Sequence, residues 1–193
     1  MRRVIPLLAA LIACAATPAF AHVGVHPESG FGAGFGHPFG GLDHLLAMTA
    51  VGLWAGLARP SRPWLWPATF VAAMLAGFAG GSAGVQVGGA EALIVASVVA
   101  LGLAATARLK VPAAAGCAVV AAAGLAHGYA HGVEAPAGAG VAGFVAGFVL
   151  ASIILHLAGL ALAWTAQRPG AARIAQLAGL GVATAGLALA WGG

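Results

Sequence analysis

Apolar positions fall in long blocks separated by short glycine, proline or arginine punctuation, at residues 41–58, 64–83, 90–107, 112–132, 138–165 and 172–191. Crossing a bilayer as a helix takes ~20 mostly apolar residues, so blocks of this length predict membrane spans. The breaks between them are equally legible. Arg59-Pro60-Ser61-Arg62-Pro63 parts the first block from the second, and Gly80-Gly81-Ser82-Ala83-Gly84 with Gly88-Gly89 parts the second from the third. The stretch 108–112 ends the third, Glu134-Ala135-Pro136 the fourth, and Arg168-Pro169-Gly170 the fifth.

The charges test this count independently. Arg59 and Arg62 lie in the first connection, Arg108 and Lys110 in the third, and Arg168 and Arg173 at the fifth; the second and fourth hold no lysine or arginine. Basic residues collect on the cytoplasmic side of membrane proteins. The alternation therefore predicts six spans with both mature termini outside. Hydrophobic residues make up 62% of the chain and charged residues 6%, whereas soluble domains average about 25% charged. The expected fold is an all-α polytopic membrane protein. Its 31 glycines suit close helix packing, with Gly77-x-x-x-Gly81, Gly80-x-x-x-Gly84 and Gly143-x-x-x-Gly147 as candidate contact pairs.

The chain opens like a secretory leader. Arg2 and Arg3 precede an apolar run from Val4 to Ala16, and Ala19-Phe20-Ala21 is an A-x-A cleavage site. This gives a division into a signal peptide at 1–21, an outer, periplasmic N-terminal segment at 22–40 and a six-helix membrane domain at 41–193. An alternative is the lipobox-like Leu11-Ile12-Ala13-Cys14, with lipidation at Cys14. Losing Arg2 and Arg3 with the leader lowers the formal charge from +4 to +2. No basic patch with interleaved aromatics remains, so nucleic acid is not an expected partner. Loss of Cys14 leaves Cys117 alone, which excludes a disulfide and a cysteine metal cage within the mature chain.

Chemistry concentrates in two clusters. His37-Pro38-Phe39-Gly40-Gly41-Leu42-Asp43-His44-Leu45-Leu46-Ala47-Met48 opens the first span, and His127-Gly128-Tyr129-Ala130-His131-Gly132-Val133-Glu134 closes the fourth. An ionisable group at the centre of a membrane helix costs about 2.5–3.5 kcal/mol on insertion scales, so such residues are functional candidates. On the six-span topology both clusters reach the outer face. His127 and His131 share one helix face with Glu134 following, and His44 shares a face with Met48. Asp43 points about 100° from His44, placed either to ligate or to orient an imidazole. Imidazole with carboxylate and thioether is a ligand set for a divalent transition metal that must later be released. Spans one and four are therefore expected to pack with His44 within reach of His127 or His131. Cleavage after Ala21 would also leave the α-amine and ring of His22 as a metal chelate. His26 and Glu28 stand beside it, and the glycine-rich stretch 30–36 would then be a flexible tether.

The run His37-x5-Asp43-His44 with Ala47-Met48 and Val51-Gly52, followed by His127-Gly128-Tyr129-Ala130-His131-Gly132-x-Glu134, resembles the HupE/UreJ family of nickel and cobalt permeases. The resemblance covers nearly the whole chain. It implies secondary uptake of Ni²⁺, and sometimes Co²⁺, across a bacterial inner membrane, with the ion as substrate and no prosthetic group. By the same resemblance His37, Asp43, His44, His127, His131 and Glu134 are the positions that matter for transport. No G-x-x-x-x-G-K-[ST] loop occurs, so no ATPase is part of the chain. The spacing of the clusters also admits an inverted three-plus-three repeat. Two other readings are an intramembrane zinc hydrolase, which lacks H-E-x-x-H, and a membrane metal sensor, which lacks a signalling domain.

Overall fold

A computed structural model of the chain describes residues 30–135, 140–168 and 171–192. Seven helices are present among them and no strand: α1 (Phe31–Gly40), α2 (Leu42–Ala58), α3 (Leu65–Ser82), α4 (Ala90–Thr106), α5 (Ala113–Val133), α6 (Val141–Thr165) and α7 (Ala172–Gly192). Helices α2 to α7 coincide with the six apolar blocks to within a turn. The signal peptide and the chelating segment with His22, His26 and Glu28 lie outside the described residues.

The stretch expected to be a flexible tether is instead helical. Phe31, Phe35 and Phe39 stack one turn apart along α1, with ring centroids 6.1 and 5.5 Å apart. The opposite face, with Gly34 and Pro38, is buried, and Gly34 and Gly147 bring the backbones of α1 and α6 together. Within α1 it is Gly34 that serves close approach, while Gly32, Gly36 and Gly40 face open space. At Gly41 the chain turns by 83° into α2.

Four helices are long and apolar enough to cross a bilayer, and the bent pair α1–α2 raises this to five. Helix α4, with 17 residues, is shorter; at 1.5 Å per residue it extends about 25 Å. Large apolar side chains such as Leu157, Leu177 and Leu187 project outward from α6 and α7, as in a bundle whose solvent is lipid.

Helix α2 touches each of the other six helices. Its residues Ala47, Met48 and Ala50 to Ala58 are all buried, which fits a segment apolar on every side. Around it the helices pair α3 with α5, α2 with α6 and α4 with α7. Glycines make these pairings close. A Cβ at Gly128 would run into the Met74 carbonyl, one at Gly77 into that of Leu125, and one at Gly52 into that of His156. The register of these contacts makes α2 run parallel to α6 and α3 parallel to α5, whereas Gly102 and Gly186 pair α4 and α7 antiparallel. Of the three glycine pairs singled out from sequence, Gly77/Gly81 and Gly143/Gly147 lie against a neighbouring helix, but Gly80 and Gly84 face open space.

Arginines end two of the helices. Arg59 closes α2 in the left-handed conformation (φ 53°), its N–H donating to Ala55 at 3.2 Å, and Arg108 does the same after α4 (φ 49°). Proline at 60 disfavours the helical region for Arg59, and a positive side chain suits the negative end of the helix dipole. Glu91 lies in the first turn of α4, where its charge suits the dipole, although no side-chain cap bond forms. At this end of α2 Trp54 donates to Leu109 O (2.8 Å) and Trp66 to Ala113 O (3.1 Å), with the indoles 4.4 Å apart. The pair fastens α2 to the α4–α5 connection and α3 to the first residue of α5.

Close packing at Gly128 predicts that Gly128→Leu destabilises the bundle by about 3 kcal/mol or more, whereas Gly80→Ala, in open space, stays within ~1 kcal/mol. Unfolding of the detergent-solubilised protein in denaturant measures both.

Candidate metal centre

At the other end of α2 the two polar clusters meet. Asp43 and His44 follow directly on the Gly41 break, where a side chain on residue 41 would collide with both. The His44 ring lies 4.2 Å from that of His131 and 4.9 Å from that of His127, centroid to centroid. His37, brought in by α1, is 4.5 Å from His131 and 6.0 Å from His44. Four imidazoles from three helices thus share one end of the bundle. Helices α2 and α5 barely touch along their lengths; each is carried to the other by its own pairing, α2 on α6 and α5 on α3.

Hydrogen bonds settle which ring nitrogens carry the protons. His44 Nδ1 donates to Asp43 Oδ1 at 2.7 Å, and His127 Nδ1 donates to the Ala123 carbonyl at 2.9 Å. A carbonyl can only accept, so Nδ1 of neutral His127 carries the proton and Nε2 its lone pair. The carboxylate fixes His44 in the same way. Both Nε2 atoms are buried without a hydrogen-bond partner, as are both ring nitrogens of His131. Leaving a buried polar group unsatisfied costs about 1–3 kcal/mol. A carboxylate holding one ring nitrogen while the other is bared is the arrangement that prepares histidine for a metal. Asp43 is therefore built to orient His44. The rings pack edge to face or tilted, and among the described residues no group of three or more His, Cys, Asp or Glu is arranged to hold a metal ion.

The remaining candidates are placed differently. Met48 is fully buried in the core of α2, one turn beyond His44. Glu134 follows the last residue of α5; it is exposed, and its carboxylate makes no hydrogen bond or ion pair among the described residues. Among those residues the Asp43–His44 contact is the only one that brings a carboxylate within ion-pair distance of a basic side chain.

Aromatic walls enclose the cluster. Phe148 lies 4.3 Å from His131, Phe144 5.8 Å from His37 and Phe70 5.8 Å from His127. Sequence reading missed these residues, yet a signal exists. Phe144, Phe148, Ser152 and His156 recur every four residues on α6, as Trp66, Phe70, Met74 and Phe78 do on α3, and all eight are buried. Each set is one inward stripe.

The family described as HupE / UreJ protein matches residues 9–189. The chain belongs to the HupE/UreJ family. Protein HupE of Rhizobium leguminosarum bv. viciae is 40% identical over 171 residues, covering 89% of each chain. No solved structure matches. Membership and the apolar helices together make this a multi-pass membrane protein with a role related to metal transport.

The hydrogen bonds predict that His44 and His127 both occupy the Nδ1–H tautomer, and that Asp43→Ala converts His44 to a tautomer mixture while His127 is unchanged. Imidazole ¹⁵N chemical shifts of labelled protein read this out; an unshifted His44 in the variant would remove the orienting role of Asp43.

Proposed function

We propose that this protein is a secondary permease that takes up Ni²⁺, Co²⁺ or both, and that His37, His44, His127 and His131 form its outer ion site. The observation that carries this reading is the pair of buried, unpartnered Nε2 atoms on His44 and His127, in rings 4.9 Å apart with His131 4.2 Å from His44. A hydrated divalent ion entering hydrocarbon needs replacement ligands, and neutral imidazoles supply them without the tight grip of thiolate. Small rotations of the packed rings would open a common coordination point. Asp43 holds His44 in the binding tautomer. Exposed Glu134 adds negative charge at the mouth, half-buried His37 is the first ring an ion meets, and the Met48 thioether is a soft donor one turn deeper on α2.

The path is completed by a topology of six spans in a bacterial inner membrane, with the mature N-terminus periplasmic after cleavage at Ala21. Alternating basic connections support it, as do the directions of the helix pairs: α2 with α6 and α3 with α5 parallel, α4 with α7 antiparallel. The same pairings fit an inverted three-plus-three repeat, because exchanging α2–α3–α4 with α5–α6–α7 turns the α2–α6 pair into α5–α3. Helix α1, with phenylalanines on one face and His37 on the other, covers the outer site. His22 and His26 ahead of it form a capture arm that delivers the ion to His37.

In a nickel-limited host, expression should raise cellular Ni²⁺ or Co²⁺, and His44→Ala or His131→Ala should lower uptake by at least about tenfold with membrane insertion retained. Normal accumulation by both well-expressed variants would reject the outer site. Replacing His22 and His26 by Ala should raise the half-saturating metal concentration and leave maximal uptake nearly intact; trace uptake equal to wild type would reduce the arm to a tail.

A further inference from the structure

Beneath the outer cluster one titratable side chain has no part in it. His156 on α6 is 2% exposed, and neither ring nitrogen has a hydrogen-bond partner. Its ring stands 5.1 Å from that of Phe70, which in turn stands 5.8 Å from that of His127. One phenyl ring thus neighbours both the deepest histidine of the outer cluster and a further imidazole inside the bundle. One turn toward the outer face, Ser152 Oγ contacts Met74 Sδ at 3.8 Å while donating to Phe148 O at 2.8 Å. Helices α3 and α6 are antiparallel here, so Phe70 faces His156 as Met74 faces Ser152. The result is an imidazole whose ring nitrogens have no hydrogen-bond partner, one helical turn from a thioether–hydroxyl contact, where hydrocarbon would pack at lower cost.

We infer that His156, with the Met74 sulfur and the Ser152 hydroxyl, forms a second and deeper metal station that receives the ion from the outer histidines across Phe70. The inference rests on the permease reading above. A transported ion must be bound weakly enough to leave each site, and two stations of few ligands achieve this better than one saturated site. The outer station has several imidazoles and a carboxylate-oriented ring. The inner one has a single imidazole with weak oxygen and sulfur donors, so the ion keeps part of its hydration there and is released more readily. A nitrogen–sulfur set suits borderline Ni²⁺ and Co²⁺ over Mg²⁺ and Ca²⁺, which prefer oxygen.

The test uses the full chain, purified and reconstituted in lipid vesicles. His156→Ala should lower Co²⁺ flux by at least about tenfold, while Co²⁺ affinity of the outer cluster stays within about twofold of wild type. His156→Cys loaded with Co²⁺ should give a thiolate-to-cobalt charge-transfer band, absent from His156→Ser and from wild type, both of which keep Cys117. A role in packing alone would produce no such band. Full flux through His156→Ala, or no band in His156→Cys, overturns the inner station. Failure of the permease reading is distinct: wild-type vesicles would pass neither Co²⁺ nor Ni²⁺.

Discussion

The structure depends on one helix being enclosed on every side. Residues 42–58 touch all six other helices, and from Ala50 onward no side chain of α2 is left exposed. In a bilayer this is not a matter of escaping water, because lipid tails are as apolar as leucine. Association there relies on close van der Waals packing between small residues. Gly52 and Gly56 on α2 supply that approach, against the His156 backbone and Ala163 of α6. With α2 held this firmly, whatever stands at its ends is held too: the tryptophan pair at one end, Asp43 and His44 at the other.

The polar end is assembled indirectly. His44 and the α5 histidines meet although their helices scarcely pack, since α2 is fixed by α6 and α5 by α3. Glycines 128 and 132 face α3 while His127 and His131, each one residue earlier, turn toward the cluster. The alternation of histidine and glycine in His127-Gly128 and His131-Gly132 is thus one helix with two faces, a close-packing face and a donor face. Nε2 of His127 and both ring nitrogens of His131 remain unsatisfied within the protein, at a cost that packing elsewhere offsets. That cost is concentrated at one end of the bundle, and at His156 below it.

Helix α1 shows how the same residue type serves opposite ends in different surroundings. A stretch reading Phe-Gly-Ala-Gly-Phe-Gly would be expected to stay mobile in water, where glycine loses the most entropy on folding. Against α6, Gly34 and the facing Gly147 allow the backbones to approach, and the phenylalanines gather on the outer face. The helix packs on its neighbour through the one missing side chain at Gly34. Gly41 then turns the chain and leaves room for the Asp43–His44 bond.

Sequence alone determined the membrane class, the extents of α2 to α7, the family resemblance and the residues of both polar clusters. These follow from local composition: hydrocarbon length sets span length, and ionisable groups stand out against an apolar background. It also determined that His127 shares a face with His131, since helix periodicity is local. Tertiary structure decided the rest. That α1 is a helix, that Gly77 packs while Gly80 does not, and that Asp43 orients His44 all depend on which neighbour lies alongside. His156 and the stripe from Phe144 to His156 had a visible period in the sequence. Their relation to His127 did not, because it runs through Phe70, on a helix more than fifty residues away in the chain. Periodicity tells which residues share a face; only packing tells what that face meets.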